Sequence, residues 1–433
     1  MNVKLNLFSN KKFLFNQSKN QYWCEDIYHS TQRNGFIVLQ LLLLAVSFFY
    51  LPYLTLVVMT GMAALLIAYL NSHRSIGIKA IFLITAYIIS AVPLASKMLY
   101  PTDQNDKVQY FYEMTDSQSL SEWLNNYSGF DFISHFMLKF SSLIFGAGNS
   151  AFAFYYLVSF LILSFGLSKL NGRYFALVIF MFLCQYNFQG LYGNLLRQSL
   201  ALSFLVVASG YIESRKKSFI FICLAAMTHF SFVIFLPMAF IKEKYRKVNT
   251  ATVIIIASGI YFSGKFLLPV LLGIVGGNEF LVNRVDAYED STFGNDFTRK
   301  IIITVIFMTV VEIIYLLRHL AIFNASQYEE KRLVNIRFSF LFCALTFFLT
   351  TSLEEVANRY AFNMMIFVLS AFVFAISIIK SARLKSMAIF SFSCIAFSAY
   401  IYINTVGVQV FYYGDLNSIL TDSLHVIWSK IEG

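Results

Sequence analysis

The sequence predicts an all-α fold: a polytopic transmembrane helix bundle of about 11 spans, with a re-entrant hairpin and an external amphipathic helix. Three observations carry this. Of 433 residues, 58% are hydrophobic and only 13% charged, too little polar surface to cover a soluble core. Apolar runs long enough to span a bilayer recur along the whole chain. Lysine and arginine are unevenly shared among the intervening loops, 23 of the 33 falling on one side of the resulting topology.

Residues 1–34 carry Lys4, Lys11, Lys12, Lys19 and Arg33 and precede the first apolar run. They read as a cytoplasmic arm rather than a cleavable signal. Spans follow at about 36–51, 53–71, 79–98, 149–168, 174–190, 196–212, 249–273, 299–319, 335–353, 360–379 and 386–404. Pro52 divides the first two, since the stretch from Phe36 to Leu70 suits two crossings and not one. Residues 35–404 thus form one membrane domain, followed by an external tail at 405–433. The N-terminus lies in the cytoplasm.

Two apolar segments do not read as ordinary spans. Residues 218–241 are bracketed by Arg215-Lys216-Lys217 and by Lys242, Lys244, Arg246 and Lys247. Basic residues at both ends place both ends on the cytoplasmic side, as in a hairpin turning near Thr228-His229; a single crossing is the alternative. In 129–146, Ile133, Phe136, Met137, Phe140, Leu143 and Ile144 form an apolar stripe opposite Asp131, His135 and Lys139. That pattern describes an amphipathic helix on the membrane surface.

The net charge of +10 does not point to nucleic acid, because the cations lie in membrane-flanking loops. The five cysteines show no CxxC pairing, which argues against a disulfide framework or zinc site. No Gly-rich phosphate loop, HExxH, DxD or GxSxG is present, so an ATP-driven pump and a metal-dependent nucleotide-sugar transferase find no support. No cofactor or metal is expected. The external loops 99–148 and 276–298 mix acids with aromatics such as Tyr110, Trp123 and Tyr127. Such a mixture suits carbohydrate, and equally a solvated loop with an interfacial aromatic belt.

Arginines on the external side are the strongest chemical signal, since orientation does not require them there. Arg197 opens a span and shares a face with Asn194, Gln198 and Ala201. Arg284 lies in the second loop, and Arg359 opens a span after Glu354-Glu355. A guanidinium binds diphosphate oxygens bidentately. The plainer readings are snorkelling for Arg197, solvation for Arg284 and a helix pair with Glu355 for Arg359. His229, in an apolar stretch, is a functional candidate or a histidine bonded to a nearby carbonyl. Asp131 and His135 read as a solvated stripe more readily than as an acid–base pair. Glu312 is an intramembrane acid that calls for a polar partner.

In this order the motifs resemble the Wzy-type polysaccharide polymerases, most closely their EpsG-like branch. The residues are Asp106-Lys-Val-Gln-Tyr110, Gly129-Phe130, Asn149, Arg197-Gln198-Ser-Leu-Ala201, the basic turn Arg215 to Lys217, His229-Phe-Ser231 and Arg359-Tyr360. The likeness covers roughly residues 36–380. It implies en bloc transfer of a growing glycan from its undecaprenyl-diphosphate carrier to a carrier-linked repeat unit, on the external face of the bacterial inner membrane. It further implies membrane lipids, a flippase and a chain-length regulator as partners, and no nucleic acid. Asp106 or His229 would be the base, and Arg197, Gln198, Arg284, Arg359, Asn194, Asp103, Tyr110 and Glu354 would bind substrate. An O-antigen ligase, a C-type transferase using Asp103 and Asp106 as an acidic pair, and a flippase remain the alternatives.

Overall fold

A computed structural model of the chain describes residues 46–48, 50–69, 76–95, 106–115, 119–127, 129, 131–185, 188, 191–192, 195–275, 295–318 and 326–402. The N-terminal arm, the C-terminal tail, Asp103, Asn194 and Arg284 lie outside the described residues, as do the side chains of Asp106 and Glu355. The chain divides into a unit of residues 1–55 with 419–432 and a unit built on 56–418.

Its regular structure is helical throughout the described residues. Helix α1 (Pro52–Tyr69) begins at the proline, whose missing N–H and fixed φ suit a first helical position. Then come α2 (Ile76–Ala95), α3 (Asp106–Thr115), α4 (Leu120–Asn126), α5 (Phe132–Phe145) and α6 (Asn149–Asn171). A 3₁₀ turn at Gly172–Tyr174 leads to α7 (Phe175–Leu183), then α8 (Leu196–Gly210) and α9 (Arg215–Thr228). After a 3₁₀ arm (Phe230–Phe240) the chain continues through α10 (Thr250–Val275), α11 (Asn295–Leu317), α12 (Gln327–Leu349), α13 (Glu354–Ser377) and α14 (Ala382–Tyr402). Among the described residues, five stretches are long and apolar enough to cross a membrane: Pro52–Tyr69, Asn149–Leu183, Thr298–Leu317, Tyr328–Leu349 and Val356–Ser377. The protein is a multi-pass helical membrane protein.

Helices α6 and α8 approach each other closely, and small residues make it possible. A Cβ on Gly166 would meet Val207 N at 2.7 Å, and one on Gly210 would meet Lys169 Cβ at 2.8 Å. Close backbone approach of this kind is how helices associate where lipid removes the hydrophobic incentive. Gly166→Val is expected to cost about 1–3 kcal/mol by forcing the helices apart. Gly259→Ala, with nothing within 4 Å of the new Cβ, serves as the neutral comparison. Melting temperatures in detergent check both; equal melting for the two variants would remove the close crossing as the cause.

Three features differ from the sequence reading. The span expected at 174–190 appears as the nine-residue α7 with every residue buried, as expected of a helix apolar on all sides. Helix α12 starts at Gln327 rather than at 335, because a capping box pairs Ser326 with Glu329 and starts the helix within the charged stretch. The stripe Asp131, His135, Lys139 is not simply solvated: Lys139 is buried, and Asp131 turns inward.

Within 218–241 the chain reverses at His229. The fourteen residues of α9 rise about 1.5 Å each and the eleven of the 3₁₀ arm about 2.0 Å each, so both limbs are about 21–22 Å long. Matched lengths bring the ends together: Arg215 Nη2 donates to the Phe240 carbonyl at 3.3 Å, and the Phe219 and Phe240 rings lie 5.4 Å apart.

Candidate functional site

The reversal at His229 delivers an imidazole to a point where three other elements end. Helix α3 brings Tyr110, the start of α5 brings Asp131, and the start of α8 brings Arg197. A shared core of Tyr110, Met114, Leu138, Phe152, Tyr155 and Leu200 fixes these elements beneath the polar groups. Tyr155 reinforces the seat: its hydroxyl donates to the Leu196 carbonyl at 3.2 Å and lies 2.9 Å from the Ser134 hydroxyl.

Asp131 is the hub. An aspartate at a helix N-cap ordinarily caps its own helix, yet this one makes no such bond. Its Oδ1 accepts from the Phe230 backbone N–H at 2.8 Å, and its Oδ2 accepts from Arg197 Nη1 at 2.9 Å. His229 Nδ1 lies 3.4 Å from the same Oδ2. Arg197 also donates from Nε to the Tyr110 hydroxyl at 3.3 Å, with its guanidinium over that ring. Arg197 Nη2 and His229 Nε2 take no part in these bonds.

A second set of contacts ties α8 to α13. Gln198 donates from Nε2 to the Arg359 carbonyl and to Asn363 Oδ1. The Tyr360 hydroxyl donates to the Ser231 carbonyl at 2.9 Å, two residues beyond His229. Lys300, in the second turn of α11, donates to Asn358 Oδ1 at 2.6 Å, the residue before Arg359 in α13. The charges of Arg197 and Arg359 both act on His229. Nearby, Glu113 Oε2 accepts from His135 Nδ1 at 2.7 Å, and the ring of Tyr127 lies 5.6 Å from His135.

Burial pushes the Asp131 carboxyl up, but the His229 hydrogen bond, the His229 and Arg197 charges and the Phe230 N–H together hold it below the usual carboxylate range. A depressed folded value means that its stabilisation is complete above about pH 4, the unfolded value, and is lost as pH falls through the folded one. The melting temperature should therefore fall below about pH 4 in part through this group, and Asp131→Asn should flatten that contribution. An unchanged acid limb in the variant would assign the loss elsewhere.

Of the residues singled out in sequence, Arg197, Gln198, His229, Tyr110 and Arg359 are gathered at this end of the bundle. Glu354 opens α13 close by in sequence. From sequence Asp131 figures only as half of an acid–base pair with His135 and reads instead as part of a solvated stripe, and Lys300 is not singled out. The spacing of Asp131 from His135 and Lys139 marked it as polar, but not which way the stripe faced.

Fold and site together define a multi-pass helical membrane protein with a guanidinium–carboxylate–imidazole centre at one end of its bundle. The chain belongs to the EpsG family, whose model matches residues 80–415. This places it among EpsG-like polysaccharide polymerases, with a glycosyltransferase-like role in general terms. Neither a curated protein nor a solved structure matches the chain. The resemblance read from sequence agrees with the family match, and the motifs Arg197-Gln198, His229-Phe-Ser231 and Arg359-Tyr360 meet in space.

Proposed function

We propose that this protein joins undecaprenyl-diphosphate-linked oligosaccharide repeat units en bloc on the external face of the bacterial inner membrane. The observation that carries the reading is Asp131 holding Arg197 and His229 together, beside Arg359. Lysine and arginine concentrated on the opposite side support an N-in orientation with this end outside.

The chemistry follows from the groups present. A hydroxyl of the incoming carrier-linked unit attacks the anomeric carbon of the growing chain. Its proton passes to His229 Nε2, while Asp131 at Nδ1 orients the ring and favours the imidazolium that forms. The bond from the anomeric carbon to the diphosphate oxygen breaks, and the carrier diphosphate leaves with the electron pair. Arg197 and Arg359 face that developing charge, which two guanidiniums stabilise without a metal. Asp106 remains the other candidate base, at the first turn of α3.

Purified protein given one defined lipid-linked repeat unit should build a ladder of longer glycans, with chelator present as well as absent. Activity that stops with chelator and returns with magnesium would defeat the metal-free reading. Transfer of glycan to a lipid core in place of a ladder would make the protein a ligase.

A further inference from the structure

We infer that Gln198 and Asn363 form a buried amide pair that sets the rotation of α13, so that Arg359 faces the centre at Asp131 and His229. Asn363, which no sequence motif singles out, is on this account a positioning residue. Apolar packing leaves that rotation under-determined, because α8 packs mainly on α6 and α9, and α13 mainly on α12 and α11. What ties α8 to α13 is polar. Gln198 Nε2 donates to the Arg359 carbonyl and, at 3.2 Å, to Asn363 Oδ1. Residues 359 and 363 are four apart and share one face of α13, so a single amide grips that face over a full turn. Asn358 and Tyr360 are tied elsewhere, to Lys300 and to the Ser231 carbonyl, and it is the amide pair that draws residue 359 toward α8.

The orientation of both amides is forced. Only a donor can meet the Arg359 carbonyl oxygen, so Gln198 turns Nε2 toward it, and Asn363 then offers Oδ1 to the same nitrogen. This leaves Gln198 Oε1 and Asn363 Nδ2 buried without a hydrogen-bond partner among the described residues. Two unpaired polar atoms in the interior cost stability, and an apolar pair of the same shape avoids that cost. A known use of a buried amide that lowers stability is to specify register between helices, as one asparagine does in coiled coils. The register specified here is that of Arg359, whose charge reaches His229. Gln198 is only 3% exposed, so it acts on substrate through Arg359 and not by the direct contact expected from sequence. The inference rests on the proposed function, in which Arg359 faces the leaving diphosphate.

The test uses the full chain, purified with isotope-labelled histidine, and a variant with both amides replaced by apolar side chains of similar shape, Gln198→Met with Asn363→Leu. Its melting temperature is expected to match or exceed the parent's. Polymer formation from a lipid-linked repeat unit should nevertheless fall roughly ten- to a hundredfold, the scale of loss for a group moved off its productive position. In an Arg359→Ala background the same replacement should make no further difference, because the pair acts through that side chain. The His229 ring titration, followed by NMR, should move in the amide-free variant as it moves in Arg359→Ala, since both take the same charge away. Gln198→Asn, one methylene short of the Arg359 carbonyl, should give the same shift with less change to the packing. Melting well below the parent would make the pair a stabilising contact and overturn the positioning role. So would parental polymer from the amide-free variant, an equal loss in the Arg359→Ala background, or a His229 titration unmoved by the amide variants. The titration needs no turnover, so a parent that forms no ladder would refute the proposed function while the titration still decides the positioning.

Discussion

Arg197→Lys and Arg359→Lys should each lower polymer formation roughly ten- to a hundredfold, the equivalent of about 1.5–3 kcal/mol for a charge-assisted contact. The structure explains why a lysine cannot substitute at 197. Arg197 spends Nη1 on Asp131 and Nε on Tyr110, and still presents Nη2. An ammonium on a flexible stem can pair with Asp131 but cannot hold that carboxylate, the tyrosine and a phosphate in one plane. Arg197 also lies in the first turn of α8, where the backbone favours an anion, whereas Arg359 lies beyond the first turn of α13. The protein should still insert and accumulate, because Gln198 anchors the Arg359 carbonyl whatever side chain residue 359 bears. Polymer length, expression and melting temperature need to be measured together for both lysine variants and for Arg359→Ala. Wild-type polymer from both lysine variants, or activity that falls only in step with stability, would sink the diphosphate clamp.

The second large effect is on folding, and lies at the far end of the bundle. Arg337 has no exposed side-chain surface and Glu312 only 7%. Arg337 donates Nε and Nη2 to the two Glu312 oxygens at 2.6 and 2.8 Å, and Nη1 to the Val248 carbonyl at 2.8 Å. The ring of Tyr315 lies 4.0 Å from the guanidinium. Glu312→Ala strands that guanidinium among apolar helices, and breaking such a pair from one side typically costs about 3–5 kcal/mol. Removing both charges, as in Glu312→Leu with Arg337→Met, should recover most of the loss, since a well-packed apolar pair carries no desolvation penalty. Thermal melting and membrane accumulation of the single and double variants decide it. A single variant as stable as the parent would show the pair to be dispensable.

Hydropathy located most helices to within a few residues, because what it measures, the cost of apolar length in water, is what drives them into the membrane. It misplaced the start of α12, where Glu329, Glu330, Lys331 and Arg332 dilute the signal although the Ser326–Glu329 capping box was present in the sequence. It overextended α7, since a short helix buried on all sides and a lipid-exposed span have the same composition. For the site, motif order nominated Arg197, Gln198, His229 and Arg359, and these do converge. Asp131, which binds two of them together, was legible only as one member of a polar stripe.

By itself, then, the sequence determined the helical membrane character, the family and the arginine and histidine candidates, all properties carried by local composition and by motifs along the chain. Only the tertiary structure decided partners. Glu312 finds Arg337 twenty-five residues away, His229 finds Asp131 ninety-eight away, and Gln198 reaches Asn363 across 165. A helix face is periodic in sequence, but which neighbour it meets depends on rotation and tilt set by packing, such as the glycine contact of α6 with α8. That rotation turns Asp131 inward to Arg197 and His229, where its charge is compensated, and not outward to water.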